Sequence, residues 1–372
     1  MTHLLSLSAA SAWLAASARR LVVPILVVAL VLTGPVGVSR AIGQDDRGTP
    51  VASSEAMRSL EAAIAWLVTQ QAADGGFVGF SGTSDPGTTA DAVTALAAAR
   101  AAGVEVGVSL EAALSYLNGQ QSAYVEAGVG QAAKLSLAYL AAGRLDQSRD
   151  IVDGLALVGP SATPVPAAVY GTGIFDHALV MLALSGSGRA VPGAAVAALE
   201  TTQGEDGSWA FDGSTTPGAG DSNTTALVLQ ALAVTGRADD PMVAKALDFL
   251  RTAQAPTGGF AFQPAEPLLP DANSTALAVQ ALVSLDLDPS SPDLLDAASA
   301  LAAFQNPSGA FRYTDDQPDD NLFATLQAIP AMAGLPLPVV TGGMEGATPL
   351  ASPVAGVAIR THAAQHDLRS VA

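Results

Sequence analysis

The chain has 372 residues, 49% of them hydrophobic and only 13% charged, enough to bury a large core that Ala, Leu and Val fill, since aromatics make up 5%. Lys and Arg number 16 against 34 Asp and Glu, and the net charge of −18 with no offsetting basic patch excludes nucleic acid and anionic lipid as partners. With no cysteine, disulfides, thiolate metal sites and a cysteine nucleophile are excluded as well.

Arg19 and Arg20 precede the apolar run Leu21 to Leu32, and Ser39 and Ala41 stand at the −3 and −1 positions of a small-residue cleavage site. Residues 1–41 are therefore expected to be a signal peptide, with a retained N-terminal membrane anchor as the alternative. The run is short against the roughly 20 apolar residues of a membrane span. The expected location is extracytoplasmic, secreted or on the cell surface, with membrane contact only through this segment. Residues 42–57 are polar and read as a linker.

From residue 58 a phrase returns along the chain: QAADGGF at Gln71, QGEDGSW at Gln203, QAPTGGF at Gln254 and QNPSGAF at Gln305. An amphipathic helix-period segment precedes each Gln, such as Ser59 to Gln70. A second segment, apolar nearly all round, follows each phrase after a Gly/Pro/Ser/Thr loop. Between Gln71 and Gln203 there is room for two further units, one built on SLEAALSYLNGQQ with Gln121 at its corner and one on DQSRDIVDGLAL. Six helix pairs, each with one greasy member, bury those members only as an inner ring wrapped by an outer ring. The expected fold is all-α, an (α/α)6 toroid over residues 58–334. The Gln ends an outer helix, the glycines turn the chain, and the aromatic covers the junction. The second aromatics Phe211, Phe262 and Tyr313 are expected to pack across the same seam.

The stretch AWLVTQQAADGGF resembles the QW repeat of squalene and oxidosqualene cyclases. The six-pair layout resembles the toroid of those cyclases, of protein prenyltransferase β subunits and of the cobalamin carriers of the transcobalamin group. A fold of this kind does not by itself carry a reaction.

Every inner helix begins at the same end of such a toroid, so the residues before it form a ring around one mouth. The sequence there reads DPGTTA from Asp85, DSNTTA from Asp221, DANSTA from Asp271 and DDNLFA from Asp319. The resemblance implies a catalytic acid at the middle position of D-x-D-D-T-A, as in class II terpene cyclases. Aligned in that way, the middle residue is Gly87, Asn223, Asn273 or Asn321, and none of these is a titratable acid. The candidate ligand-binding rim is Asp85, Asp221, Asn223, Thr224, Asp271, Asn273, Ser274, Asp319, Asp320 and Asn321, the same residues that suit helix capping. Asp176 and His177 stand where other units carry Thr or Ser, and Asp315 and Asp316 lie in the acidic stretch before Asn321; these four are the weak catalytic candidates. The prenyltransferase zinc site the resemblance would imply lacks its cysteine, and a lone Asp-His pair is too small a ligand set. The stretch Thr314 to Asn321 reads as a solvated acidic loop without EF-hand spacing. No metal or cofactor is expected. Residues 335–372, rich in Pro, Ala, Gly and Thr, read as a disordered tail. The expected function is an exported, non-catalytic binding or scaffold module that holds a small apolar or isoprenoid-like ligand in its central cavity. A diverged terpene cyclase or prenyltransferase, and a surface protein-interaction domain, are the alternatives.

Overall fold

The computed structural model describes residues 54–158 and 169–340. The expected leader, most of the linker and the tail beyond residue 340 lie outside the described residues. Among the described residues, twelve α-helices alternate between two rings. The outer ones are α1 (Ser54–Thr69), α3 (Ser109–Glu126), α5 (Leu145–Val158), α7 (Gly193–Thr202), α9 (Pro241–Ala253) and α11 (Ala297–Ala302). The inner ones are α2 (Pro86–Ala101), α4 (Val129–Ala141), α6 (Ile174–Gly186), α8 (Ser222–Val234), α10 (Ala272–Ser284) and α12 (Leu322–Met332). Helix α1 takes in the last residues of the expected linker, because Ser54 to Met57 continue its amphipathic turn and Ala56 is buried.

Each inner helix packs against the next, and α12 packs back on α2, so the ring is shut. The inner members are buried because neighbours flank them on both sides and an outer helix covers their backs. Along α8 and α10 every residue from the first to the eleventh is buried.

Four corners share one construction. The Gln71 side-chain amide donates to Gly75 O at 2.8 Å and to Ser109 O of the next outer helix at 2.9 Å. Gln203 reaches Gly207 O and Met242 O, and Gln254 reaches Gly258 O and Leu294 O. Gln305 reaches Gly309 O and Ser59 O, joining the last corner to the first outer helix across 246 positions of sequence. The glycine that follows has φ of +88° at Gly75 and +89° at Gly258, the left-handed region that a side chain disfavours. A Cβ on Gly258 would also fall on Leu295 O. The corner aromatics Phe77, Trp209, Phe260 and Phe311 are buried, and each donates its backbone N–H to a threonine one turn into the following inner helix. Of the second aromatics, Phe211 O accepts from Ile174 N and Phe262 O from Ser222 N, each at the start of the preceding inner helix; the Phe211 ring lies 5.7 Å from that of Phe175, and Tyr313 is buried.

Unit two departs from the expectation. Gln121 is no corner, because α3 runs on to Glu126, and its carbonyl instead accepts from the Tyr139 hydroxyl at 3.0 Å. The acidic stretch of unit six is not a free loop either. It forms an antiparallel ribbon, β1 (Phe311–Thr314) on β2 (Gln317–Asn321), with Phe311 opposite Asn321. The expected tail begins as ordered chain that spans the ring at the C-terminal end of the inner helices. Gln280 donates to Leu335 O at 2.9 Å, Gln230 accepts from Leu337 N at 2.8 Å, and Val339 is buried against Ala97, Ala98 and Ala141.

Candidate functional site

With one end of the ring crossed by residues 335–339, the other end is the mouth framed by the N-termini of the inner helices. The caps there are Asp85, Gly128, Gly173, Asp221, Asp271 and Asn321. Asp221 accepts from Thr224 N at 2.7 Å and from the Thr224 hydroxyl at 2.9 Å, and Asp271 holds Ser274 N and Oγ in the same way. Each cap satisfies free helix N–H groups and is worth about 1 kcal/mol. Both oxygens of these two carboxylates are thereby occupied. Burial pushes the Asp221 carboxyl up to about 6 and that of Asp271 up to about 8, against the hydrogen bonds that favour the charged form.

In unit six the cap is Asn321, which accepts from Ala324 N at 2.9 Å, so the sequence alignment through Asp319 is displaced by two residues. The residue at the acid position in that unit is Phe323. Asp319 is exposed on β2, and Asp320 accepts from Asn306 Nδ2 and Ser308 Oγ, fastening the corner instead of facing the mouth. Asp315 pairs with Arg312 at 2.7 Å at the exposed tip of the ribbon, beside exposed Asp316. All four carboxylates are exposed on the ribbon, two of them paired, Asp320 with the corner and Asp315 with Arg312.

His177 is a corner residue. Its Nδ1 accepts from Tyr170 N at 3.0 Å and its Nε2 donates to Ala195 O at 2.9 Å, bonds that fix the neutral tautomer. It occupies the register of the threonines Thr89, Thr225, Thr275 and Thr325, and it also reaches the next outer helix, as the corner glutamines do elsewhere. Burial holds its pKa below the ordinary value. Asp176, one residue earlier, accepts from Thr172 N and Oγ1 at 3.1 Å and closes its own loop.

Asn223 and Asn273 stand second after their caps on adjacent helices, and both are buried with the side-chain carbonyl oxygen unpartnered. The Tyr313 hydroxyl, close enough to Asp271 for that charge to raise its pKa after burial has done so, is unpartnered too. Burying a polar atom without a partner costs about 1–3 kcal/mol, so three in neighbouring units are a chemical feature of the site.

The sequence reasoning missed the most charged part of the interior. Six residues after their caps, the inner helices carry Asp91, Lys134, Leu179, Leu227, Leu277 and Gln327 in ring order. Three residues further along α8 and α10 come Gln230 and Gln280, which touch the crossing segment, so this face of the helix looks to the axis. Lys134 and Asp91 form an ion pair at 2.6 Å with both side chains half-buried. Tyr124 completes the cluster: its hydroxyl lies where a side chain on Gly87 would be, and burial, opposed by the charge of Lys134 and aided by those of Asp91 and Asp85, pushes it up to about 12. The signal was available in the sequence as one lone charge in each of two otherwise greasy segments.

Two cavities stand out among the described residues. One of about 180 Å³ sits behind Phe260 among Leu250, Leu282, Leu287 and Leu294, and one of about 250 Å³ adjoins Arg100 and Glu111. Among the described residues no group of three or more His, Cys, Asp or Glu is arranged to hold a metal ion, and no helix is long and apolar enough to cross a membrane.

In fold the chain is similar to type II terpene cyclase MstE from Scytonema, with TM-score 0.52 and 16% identity over 76% of this chain and 98% of that one. It is similar to the GH76A alpha-1,6-mannanase of Salegentibacter sp. HEL1_6, with TM-score 0.55 and 13% identity over 75% and 98%. A protein from Actinoplanes gives TM-score 0.52 and 17% identity over 75% and 99%. At such identities the likeness is one of fold alone. No curated protein sequence matches the chain. The sequence model of the prenyltransferase alpha-alpha toroid domain matches residues 26–136 and 194–333 and passes over unit three, where His177 replaces the glutamine corner. The matched stretches make up more than half of the chain, which therefore belongs to the prenyltransferase alpha-alpha toroid domain family.

Proposed function

We propose that the protein is a non-catalytic toroid that binds a small organic ligand at the mouth framed by the inner-helix N-termini. One observation carries the reading: the second position after the cap holds Gly87, Asn223, Asn273 and Phe323, none able to deliver a proton, while the nearby Asp221 and Asp271 spend both oxygens on capping. The leader-like segment 1–41 supports an extracytoplasmic location, which N-terminal sequencing of the protein from its host would check. Purified full-length protein incubated with squalene or geranylgeranyl diphosphate is expected to return both unchanged by gas chromatography and mass spectrometry. Product formed at a rate that scales with protein concentration overturns the reading.

A diverged enzyme is the second reading, and one observation favours it. Asp271, held up to about 8, keeps its proton at neutral pH as a general acid must. The same incubations decide, with Asp271→Asn abolishing any turnover that depends on that proton.

A further inference from the structure

The mouth is rich in acceptors and poor in cations. Asp85 and Asp91, six residues apart on α2, each take their side-chain hydrogen bonds on a single oxygen, Oδ2, and both are half-buried. Lys134 faces both, so two carboxyl groups share one ammonium; burial raises the Asp91 carboxyl and Lys134 works against that rise. Across the mouth the carbonyl oxygens of Asn223 and Asn273 are buried and unpartnered, two further acceptors in need of donors. Phe323, at the same register as those asparagines, stacks on Phe80 with ring centroids 4.0 Å apart, and Gly79, the neighbour of Phe80 in sequence, lies against the Asp85 side chain. Two carboxyl groups sharing one ammonium, beside a pair of stacked aromatic rings, complement an organic cation with N–H donors.

We propose that the mouth binds a protonated alkyl amine, its ammonium held between Asp85 and Asp91 beside Tyr124 and its carbon chain laid on Phe323 and Phe80. The proposal rests on the binding reading above. It gives the Asp91–Lys134 pair a purpose. Lys134 neutralises Asp91 in the empty site and competes with the ligand for it.

Isothermal titration calorimetry of the full-length protein with octylammonium, spermidine, octanoate, 1-octanol and calcium chloride tests this. Octylammonium is expected to bind and octanoate not to. Asp85→Asn, which keeps the cap on Thr88 N while removing the charge, is expected to weaken octylammonium about fivefold, the worth of a half-exposed ion pair. Lys134→Gln is expected to do the opposite and strengthen it by a similar factor, a sign that a damaged fold would not produce. The proposal is overturned if neither amine binds, if octanoate or 1-octanol binds as tightly as octylammonium, if calcium displaces the amine with the same dependence on Asp85, or if Lys134→Gln weakens binding. Binding of octanoate or octanol alone would leave the non-catalytic reading standing, since only product formation removes that.

Discussion

At one level of the inner ring, three consecutive helices carry Leu179, Leu227 and Leu277, and the other three carry Gln327, Asp91 and Lys134. The leucines are buried, whereas the three polar side chains remain half-buried. Glutamine corners stand in both arcs, Gln71 and Gln305 in the polar one and Gln203 and Gln254 in the other, so the corner requires neither the charges nor Gln327. Taking a carboxylate and an ammonium partly out of water costs free energy that a leucine at the same place does not. The polar arc is therefore where the proposed ligand would find its contacts, and packing alone accounts for the leucine arc.

The comparison is broken most severely by removing half of the pair. Lys134→Leu leaves Asp91 half-buried with no counter-charge and is expected to cost about 2 kcal/mol, below the full penalty of a buried orphan charge because water still reaches both groups. Asp91→Leu with Lys134→Leu copies the leucine arc, and its stability is expected to return to that of the wild type or exceed it. Urea unfolding of the two single variants and the double variant gives the coupling directly. A double variant less stable than either single one would show that the pair holds the ring together, and the contrast between the arcs would lose its meaning.

How far the sequence went follows from the same contrast. The corners were legible because Gln, Gly and the aromatic recur at fixed offsets, each imposed by a local need: a side-chain amide for two carbonyls, a positive φ, and a ring to fill a junction. The bond from Gln305 to Ser59 was not, since nothing local records a contact across 246 positions. Unit six was misaligned because Asp319 and Asp320 resemble a cap, while Asn321 does that work with an amide oxygen. His177 looked like chemistry because histidine is rare here, and it is a corner in which one ring replaces both a threonine and a glutamine. Segment 335–339 read as tail because its prolines break helical periodicity, yet its backbone supplies what Gln230 and Gln280 need.

Titration sharpens the comparison in the apolar arc, which contains buried Asp271 yet is kept neutral there by a proton. The folded pKa is raised to about 8 from the ordinary 3.8, so the folded state binds the proton more tightly than the unfolded chain. Its contribution to stability is present below the unfolded pKa and is lost as pH rises through the folded one. Between pH 6.5 and 8 the decline is expected to be about 1 kcal/mol per pH unit. His177, whose folded pKa is depressed, acts in the opposite sense and only as pH falls below about 6.5. Thermal melts from pH 6.5 to 8.5 should show the loss in the wild type and a flatter profile in Asp271→Asn, whose amide oxygen still caps Ser274 N. Equal slopes in the two proteins would mean that Asp271 is ionised throughout.

The smallest expected effect separates cost from purpose most cleanly. Asn223 and its equivalent Asn273 lie at the edge of the leucine arc with carbonyl oxygens that have no partner, so each takes on a desolvation cost that an apolar residue would not. Asn223→Leu removes the unsatisfied oxygen while leaving the cap from Asp221 to Thr224 in place. It is expected to leave stability unchanged or raise it by up to about 1 kcal/mol, whereas replacing a hydrogen-bonded buried asparagine lowers stability by about that amount. A gain in melting temperature accompanied by weaker octylammonium binding would mark Asn223 as retained for the ligand. A loss of melting temperature would place it in the structure of the mouth, and the neutral arc would then differ from the charged one in composition alone.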